Sequence, residues 1–137
     1  MTTKQWVVGT VVGGVVLYAT GYIIFEMLLG DFYEANSGSA TGVDRDPQIQ
    51  WAVAVGALAY AALILHVLKG QAAAVNVSTG TKAGAIVGFL LWATVNFTFY
   101  GIANLNNLTL TIVDPLVEAI HGGIAGAVLG AMLPKLR

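Results

Sequence analysis

The sequence has no cysteine and very little charge. Without cysteine, the 137-residue chain has neither disulfide bonds nor a thiolate metal site, and it carries no sign of its redox compartment. Only 9% of the residues are charged, whereas a soluble domain carries roughly 25%. Hydrophobic residues make up 57% of the chain, and the mean hydropathy is +0.78. Because so few charges cannot cover a water-exposed surface, we expect lipid to be the solvent for most of the protein.

Features of two common functional classes are also missing. The formal net charge is −1 and no basic patch exists, which excludes a nucleic-acid partner. Neither a phosphate-binding glycine loop nor a nucleophile–base pair is present, so an enzyme is the class with the least support. The sequence does not identify a cofactor.

Four apolar stretches are each long enough to cross a bilayer, for which roughly 20 residues are needed. They lie at about residues 5–29, 49–68, 83–103 and 112–133. The first stretch is longer than the roughly 7–15 residues of a signal-peptide core, so we interpret it as a retained helix. The sequence therefore predicts an all-α protein, a four-helix transmembrane bundle of two helical hairpins in one domain over residues 1–137, with an outer loop at 30–48.

The distribution of positive charge predicts the orientation of these helices. Five basic residues fall at one end of the four-helix topology, and only Arg45 falls at the other. The five are Lys4, Lys69, Lys82, Lys135 and Arg137. By the positive-inside rule, the N and C termini and the middle loop are expected to be cytoplasmic.

Glycines recur every fourth residue in three of the four stretches. This spacing puts successive members on neighbouring turns of one helix side, where small residues let membrane helices approach closely. We therefore assign these glycines to helix packing. They are Gly9 and Gly13 in the first stretch, Gly84 and Gly88 in the third, and Gly122, Gly126 and Gly130 in the fourth.

The fourth stretch carries three ionisable residues directly before its glycines: Asp114, Glu118 and His121. Asp114 followed by Pro115 fits a helix N-cap with proline at the first helical position, and we favour that role for Asp114. Glu118 and His121 lie roughly 6 and 10 Å deeper along the helix, so capping does not explain them.

Two other stretches carry polar residues at the same outer end. The first has Glu26, which either extends to the membrane interface or faces the bundle. The third has Asn96, Tyr100 and Asn104, each four residues apart. An amide in hydrocarbon needs a hydrogen-bond partner, so Asn96 should point inward. Together with the acids of the fourth stretch, these residues predict a polar cluster in the outer half of the bundle.

This polar cluster has more than one interpretation. Ionisable groups at membrane depth cost about 2.5–3.5 kcal/mol each to insert, which makes the cluster a hypothesis for a functional site. A hydrogen-bonded network that only fixes helix packing explains it equally well. Glu118 and His121 have the i, i+3 spacing of metal ligands in helical bundles, and Glu26 could complete a facial set for one metal ion. A proton relay through Glu118 and His121 is equally permitted.

Three segments resemble parts of small four-helix bacterial inner-membrane proteins. They are Gly21 with the aromatic run after it, GAIVGFLLW, and VDPLVEAIHGGIAGAVLGA. The resemblance covers most of the chain outside the first outer loop. Those families are catalogued only as domains of unknown function. The resemblance therefore implies a four-span fold in a bacterial inner (plasma) membrane, without an activity or site residues.

Two functions remain open. Four helices and 14.2 kDa leave little room for a closed solute path in one copy. The first function is therefore an accessory or structural subunit that associates with itself, as a homo-oligomer, or with a larger membrane complex through its Gly/Ala faces. The second is a small transport or binding protein that uses the outer cluster for protons, a cation or a polar ligand. Under both, the lipid bilayer is a partner.

Overall fold

The computed structural model of the protein describes residues 1–71 and 74–136, which are mainly helical. The described residues form five α-helices: α1 (Thr3–Gly21), α2 (Gly30–Ala35), α3 (Gln50–Lys69), α4 (Val77–Ile102) and α5 (Leu108–Met132). A π-helix, Tyr22–Leu28, continues α1, and a 3₁₀-helix, Leu133–Leu136, follows α5. No strand forms within these ranges. Arg137, one of the five cations behind the predicted orientation, lies outside the described residues.

Four of the helices confirm the four apolar stretches, because they are long and apolar enough to cross a membrane. Side-chain caps set where three of them begin. Thr2 and Gln5 form a capping box at the start of α1, and Asn76 and Thr79 form another at the start of α4. The side chain of Asn107 caps α5.

These caps correct two of the predicted boundaries and one predicted role. α4 begins at Val77 rather than at residue 83, and α5 begins at Leu108 rather than at residue 112. Asp114 and Pro115 consequently lie inside α5, and the N-cap role predicted for Asp114 is wrong. The predicted outer loop at 30–48 is also not entirely irregular, because it contains the short helix α2.

The four long helices form a ring in which successive members run antiparallel. α1 packs against α3 and α5, α4 packs most extensively against α5, and α3 and α4 contact each other sparsely. Gln5 Nε2, near the start of α1, donates to the carbonyl oxygen of Leu133 at 2.9 Å, so both ends of the chain lie at one end of the ring. We call the opposite half of the bundle the distal half.

The α4–α5 contact is a seam of glycines at which the two backbones touch. A Cβ atom on Gly84 would overlap the carbonyl oxygen of Gly122, and one on Gly126 would overlap that of Gly80. On α1, an added Cβ on Gly13 would lie 2.9 Å from the Cβ of Ala61. Every glycine assigned to packing lies at a contact between helices of this one chain: Gly9, Gly13, Gly84, Gly88, Gly122, Gly126 and Gly130.

Apolar side chains fill the half of the bundle near the termini. Among the largest fully buried side chains are Ile64, Leu65, Leu68, Leu129 and Leu133. They come from α3, α5 and the 3₁₀-helix and belong to one hydrophobic core. The distal half lacks an equivalent apolar filling and contains the polar residues instead.

Candidate functional site

The distal half encloses a cleft of about 740 Å³. Its walls come from α1 with its π-helix extension, α3, α4 and α5, and Tyr33 of α2 closes one side. Most of the lining is apolar or aromatic. One wall is different, because four buried polar side chains face the cleft there: Asn96, Asp114, Glu118 and His121. The structure thus brings together four of the residues predicted for the polar cluster.

Asp114 is a buried carboxylate that two neutral groups hold in place. It is 6% exposed and accepts hydrogen bonds from the Tyr33 hydroxyl and the Asn96 side-chain amide. The amide of Asn106 donates to Asn96 Oδ1 at 3.1 Å, which fixes the orientation of the Asn96 amide. Within residues 1–71 and 74–136, no cationic side chain forms a salt bridge with Asp114. The carboxylate is therefore hydrogen-bonded by neutral groups, and no cation among the described residues neutralises its negative charge.

The Tyr33 phenol is held in its protonated form by its surroundings. Burial and the hydrogen bond to Asp114 raise the pKa of Tyr33 above its ordinary value. The phenolate would place a second negative charge against the carboxylate, so the hydroxyl remains a donor to Asp114.

Glu118 and His121 form a pair that shares one proton. His121 Nε2 lies 2.9 Å from the backbone carbonyl oxygen of Leu17, which can only accept, so Nε2 carries a hydrogen. His121 Nδ1 lies 3.1 Å from Glu118 Oε2, and a hydrogen bond there requires one proton between the two atoms. The pair is neutral overall whether that proton belongs to the carboxyl or to the imidazole. Asp114 is therefore the group that gives this wall its net charge.

Aromatic rings surround the polar wall. Phe25, from the π-helix, and Tyr60, from α3, both meet the His121 ring edge-on, with centroid distances of 5.3 and 6.0 Å. Trp92 lies between Gly88 and Asn96 on α4, and its buried indole N–H has no acceptor among the described groups. The aromatic residues that line the cleft are Tyr18, Tyr22, Phe25, Tyr33, Tyr60 and Trp92.

Glu26 lies at the rim of the cleft rather than on its polar wall. Its side chain is exposed and accepts a hydrogen bond from Gln48 Nε2 at 3.0 Å. It therefore does not converge with Glu118 and His121. No group of three His, Cys, Asp or Glu residues in the described part of the chain could hold a metal ion. The facial metal set proposed from the sequence is thus wrong.

Tyr100 and Asn104 do not join the cluster, although the sequence predicted that they would. An i, i+4 row drifts by about 40° per step, so Tyr100 has rotated away from the side of Asn96 and is 46% exposed. α4 ends at Ile102, and Asn104 therefore lies in the following loop.

Sequence reasoning missed several residues that complete the site. Tyr33 and Asn106 lie outside the long helices, and their positions depend on the paths of loops, which no periodic pattern encodes. Tyr60 lies in α3, whose alanine-rich sequence indicated only a surface for helix packing. Trp92 belongs to the same four-residue row as Asn96, and that row was the one available signal for it.

No family model, curated protein or solved structure matches the chain. Function is therefore inferred from the chemistry of the cleft. It combines an apolar and aromatic space, an unneutralised carboxylate, and a neutral pair that can give up or take a proton. A carboxylate beside aromatic faces is the combination that attracts organic cations.

Proposed function

We propose that the protein is a small integral membrane protein that binds an organic cation in the distal cleft. Asp114 is the observation that carries this proposal. A charge buried away from water is costly unless it is paired, and this carboxylate has two neutral donors but no cationic partner in the described chain. An ammonium group in the cleft would supply the missing positive charge.

The cleft favours an organic cation over a metal ion. Its volume of about 740 Å³ is within the approximate range of 300–1,000 Å³ for small-molecule sites. Its lining is mainly apolar and includes the aromatic side chains of Tyr60 and Trp92, a residue type whose ring face attracts an ammonium group. A metal ion would instead need several converging ligands, and the described residues offer no such set.

The proposed setting is a bacterial inner membrane, with both termini and the middle loop in the cytoplasm. The distribution of basic residues supports this orientation. The long helices also expose large apolar side chains around the bundle, as lipid contact requires. Examples are Val7, Val15, Ile86, Leu116 and Ile120. In this orientation the distal cleft lies in the outer leaflet.

The structure offers less support for an accessory subunit that associates through Gly/Ala faces. The glycines on which that expectation depended pack within one chain, where Gly84 faces Gly122 and Gly13 faces Ala61. Their surfaces are thus not free to meet a second copy or a larger complex. The binding function uses residues that the fold leaves facing an open cleft, and we therefore prefer it.

Isothermal titration calorimetry of the purified protein in dodecyl maltoside, with tetramethylammonium as the probe, tests the proposal. We expect saturable binding by the wild type that weakens at least about tenfold in Asp114→Asn, equivalent to about 1.4 kcal/mol. Asp44→Asn removes the same charge from an exposed loop position and should bind like the wild type. Circular dichroism establishes that each variant is helical. Absence of saturable binding by the wild type, or binding by Asp114→Asn as tight as that of the wild type, would refute the function.

A further inference from the structure

The side of the cleft between α1 and α3 is closed by hydrogen bonds. The Tyr18 hydroxyl donates to Gln50 Oε1 at 2.6 Å, and Gln48 Nε2 donates to Glu26 Oε1 at 3.0 Å. These bonds join the distal end of α1 and its π-helix to the start of α3. α1 and α3 also pack directly against each other, far more extensively than α3 and α4 do.

The two sides that involve α5 are closed as well. Between α1 and α5, His121 donates to the carbonyl of Leu17, and Phe25 covers the imidazole edge. Between α4 and α5, a Cβ on Gly88 would overlap the carbonyl oxygen of Glu118, so the backbones are in contact. The hydrogen bond of Asn96 to Asp114 continues this closure toward the distal end.

The side between α3 and α4 is the loosely packed one. Contacts between these two helices are sparse. Most of the cleft residues that α3 contributes are apolar, and several of these are exposed, among them Val53 at 48% and Leu63 at 39%. Gly56 lies between them, and a Cβ atom built on it meets no atom within 4 Å. This gap is therefore loosely packed, and the α3 residues around Gly56 that border it are mainly apolar.

We propose that the cleft opens sideways between α3 and α4, and that its ligand is an amphiphilic ammonium compound whose apolar chain leaves the cleft past Gly56 into the acyl region of the bilayer. The inference rests on the proposed function, because Asp114 is taken to hold the ammonium group. An apolar rim gives no hydrogen bonds to a hydrated ion, so such an ion would lose its water without compensation. An amphiphile in the outer leaflet already has its chain in hydrocarbon and has only its head group to transfer.

The test uses two probes with the same head group and different chains, tetramethylammonium and dodecyltrimethylammonium. Binding is measured by titration calorimetry in dodecyl maltoside, with protein-free micelles as the blank for partitioning of the long probe. Gly56→Phe fills the gap, and Gly101→Phe is the matched control, since Gly101 is another helical glycine whose added Cβ meets nothing within 4 Å. Gly101 does not line the cleft.

We expect Gly56→Phe to weaken binding of the dodecyl probe at least about tenfold and to leave tetramethylammonium binding unchanged, because only the long chain reaches the gap. Gly101→Phe should change neither affinity. If the wild type binds tetramethylammonium but Gly56→Phe binds the dodecyl probe as tightly as the wild type, the sideways opening is refuted and the proposed function stands. Equal weakening of both probes in Gly56→Phe also refutes it, since Gly56 would then belong to the head-group site. If the wild type binds neither probe, the proposed function itself fails.

Discussion

His121 of α5 donates its Nε2 hydrogen to the backbone carbonyl of Leu17 in α1, which is 104 residues earlier in the chain and 2.9 Å away in space. This bond ties two helices together beside the cleft and leaves Nδ1 facing Glu118. It thereby makes the Glu118–His121 pair a neutral unit with a single shared proton, and the net charge of the polar wall falls on Asp114. The proposed selectivity for cations depends on this division of roles.

Removal of one member of the Glu118–His121 pair should be more harmful than replacement of both. His121→Leu leaves the Glu118 carboxyl buried at 4% exposure without its partner, and breaking such a pair costs about 3–5 kcal/mol. In Glu118→Met/His121→Leu both polar groups are replaced by apolar side chains, and the loss should be smaller. The stability losses of both variants are obtained as changes in the free energy of unfolding, which is measured by titrating the protein in dodecyl maltoside micelles with sodium dodecyl sulfate. If the loss in the double variant equals the sum of the losses in Glu118→Met and His121→Leu, the pairing is contradicted.

The Tyr33 hydroxyl should stabilise the protein at neutral pH and lose this effect in alkali. Its pKa is raised in the folded state by burial and by Asp114, so its stabilisation is fully present below the ordinary phenol pKa of about 10. Above about pH 10 the Tyr33 phenol ionises in the unfolded chain but not yet in the folded protein. Its contribution to the free energy of unfolding therefore falls as the pH rises toward the folded-state pKa. Tyr33→Phe should therefore be less stable than the wild type at neutral pH, by about 1.5–3 kcal/mol for a hydrogen bond to a charged group.

Unfolding free energies of the wild type and Tyr33→Phe, measured at several pH values, give this difference directly. It should narrow as the pH rises past about 10. Tyr100→Phe removes a hydroxyl from an exposed position and should have little effect at neutral pH. A difference between wild type and Tyr33→Phe that is constant or widens in alkali would argue against the bond to Asp114.

The glycine seam predicts that replacement by alanine affects stability very differently at two glycines of α4, Gly84 and Gly101. Gly84→Ala would push a Cβ into the carbonyl oxygen of Gly122, so the helices must separate, at a cost of about 1–3 kcal/mol or more. Gly101→Ala introduces a Cβ into open space on the same helix and should be neutral, or stabilising by up to about 1 kcal/mol through helix propensity. Melting temperatures in detergent compare the two, and similar values would mean that the seam is not closely packed.

The main lines of the fold could be predicted from the sequence because apolar length is a local property. Each of the four long helices was located, and the errors were at their starts, where a single side chain such as Asn107 outweighs the proline signal at Pro115. The π-helix after Gly21 and the short helix α2 were not predicted. Both depend on how the chain packs after α1 has ended, which periodicity does not describe.

The site could be predicted only where two helices in regular register meet. Asn96 was expected to point inward and Asp114 was assigned to the same polar cluster, and the α4–α5 seam brings the two together. Tyr33, by contrast, reaches Asp114 from a segment that looked irregular, over a separation of 81 residues. That no cation among the described residues pairs with Asp114 is likewise a consequence of packing, so it could not be predicted from the sequence.

The most direct measurement uses the fluorescence of Trp92, because this residue lines the cleft. Trp6→Phe and Trp51→Phe together leave Trp92 as the only tryptophan of the chain. Choline and its uncharged isostere 3,3-dimethylbutanol have the same shape and differ in the positive charge. We predict that choline changes the Trp92 emission in a saturable manner, that the isostere does not, and that Asp114→Asn abolishes the response to choline. Equal responses to the two compounds, or a choline response that survives in Asp114→Asn, would contradict the assignment of the distal cleft as a cation site.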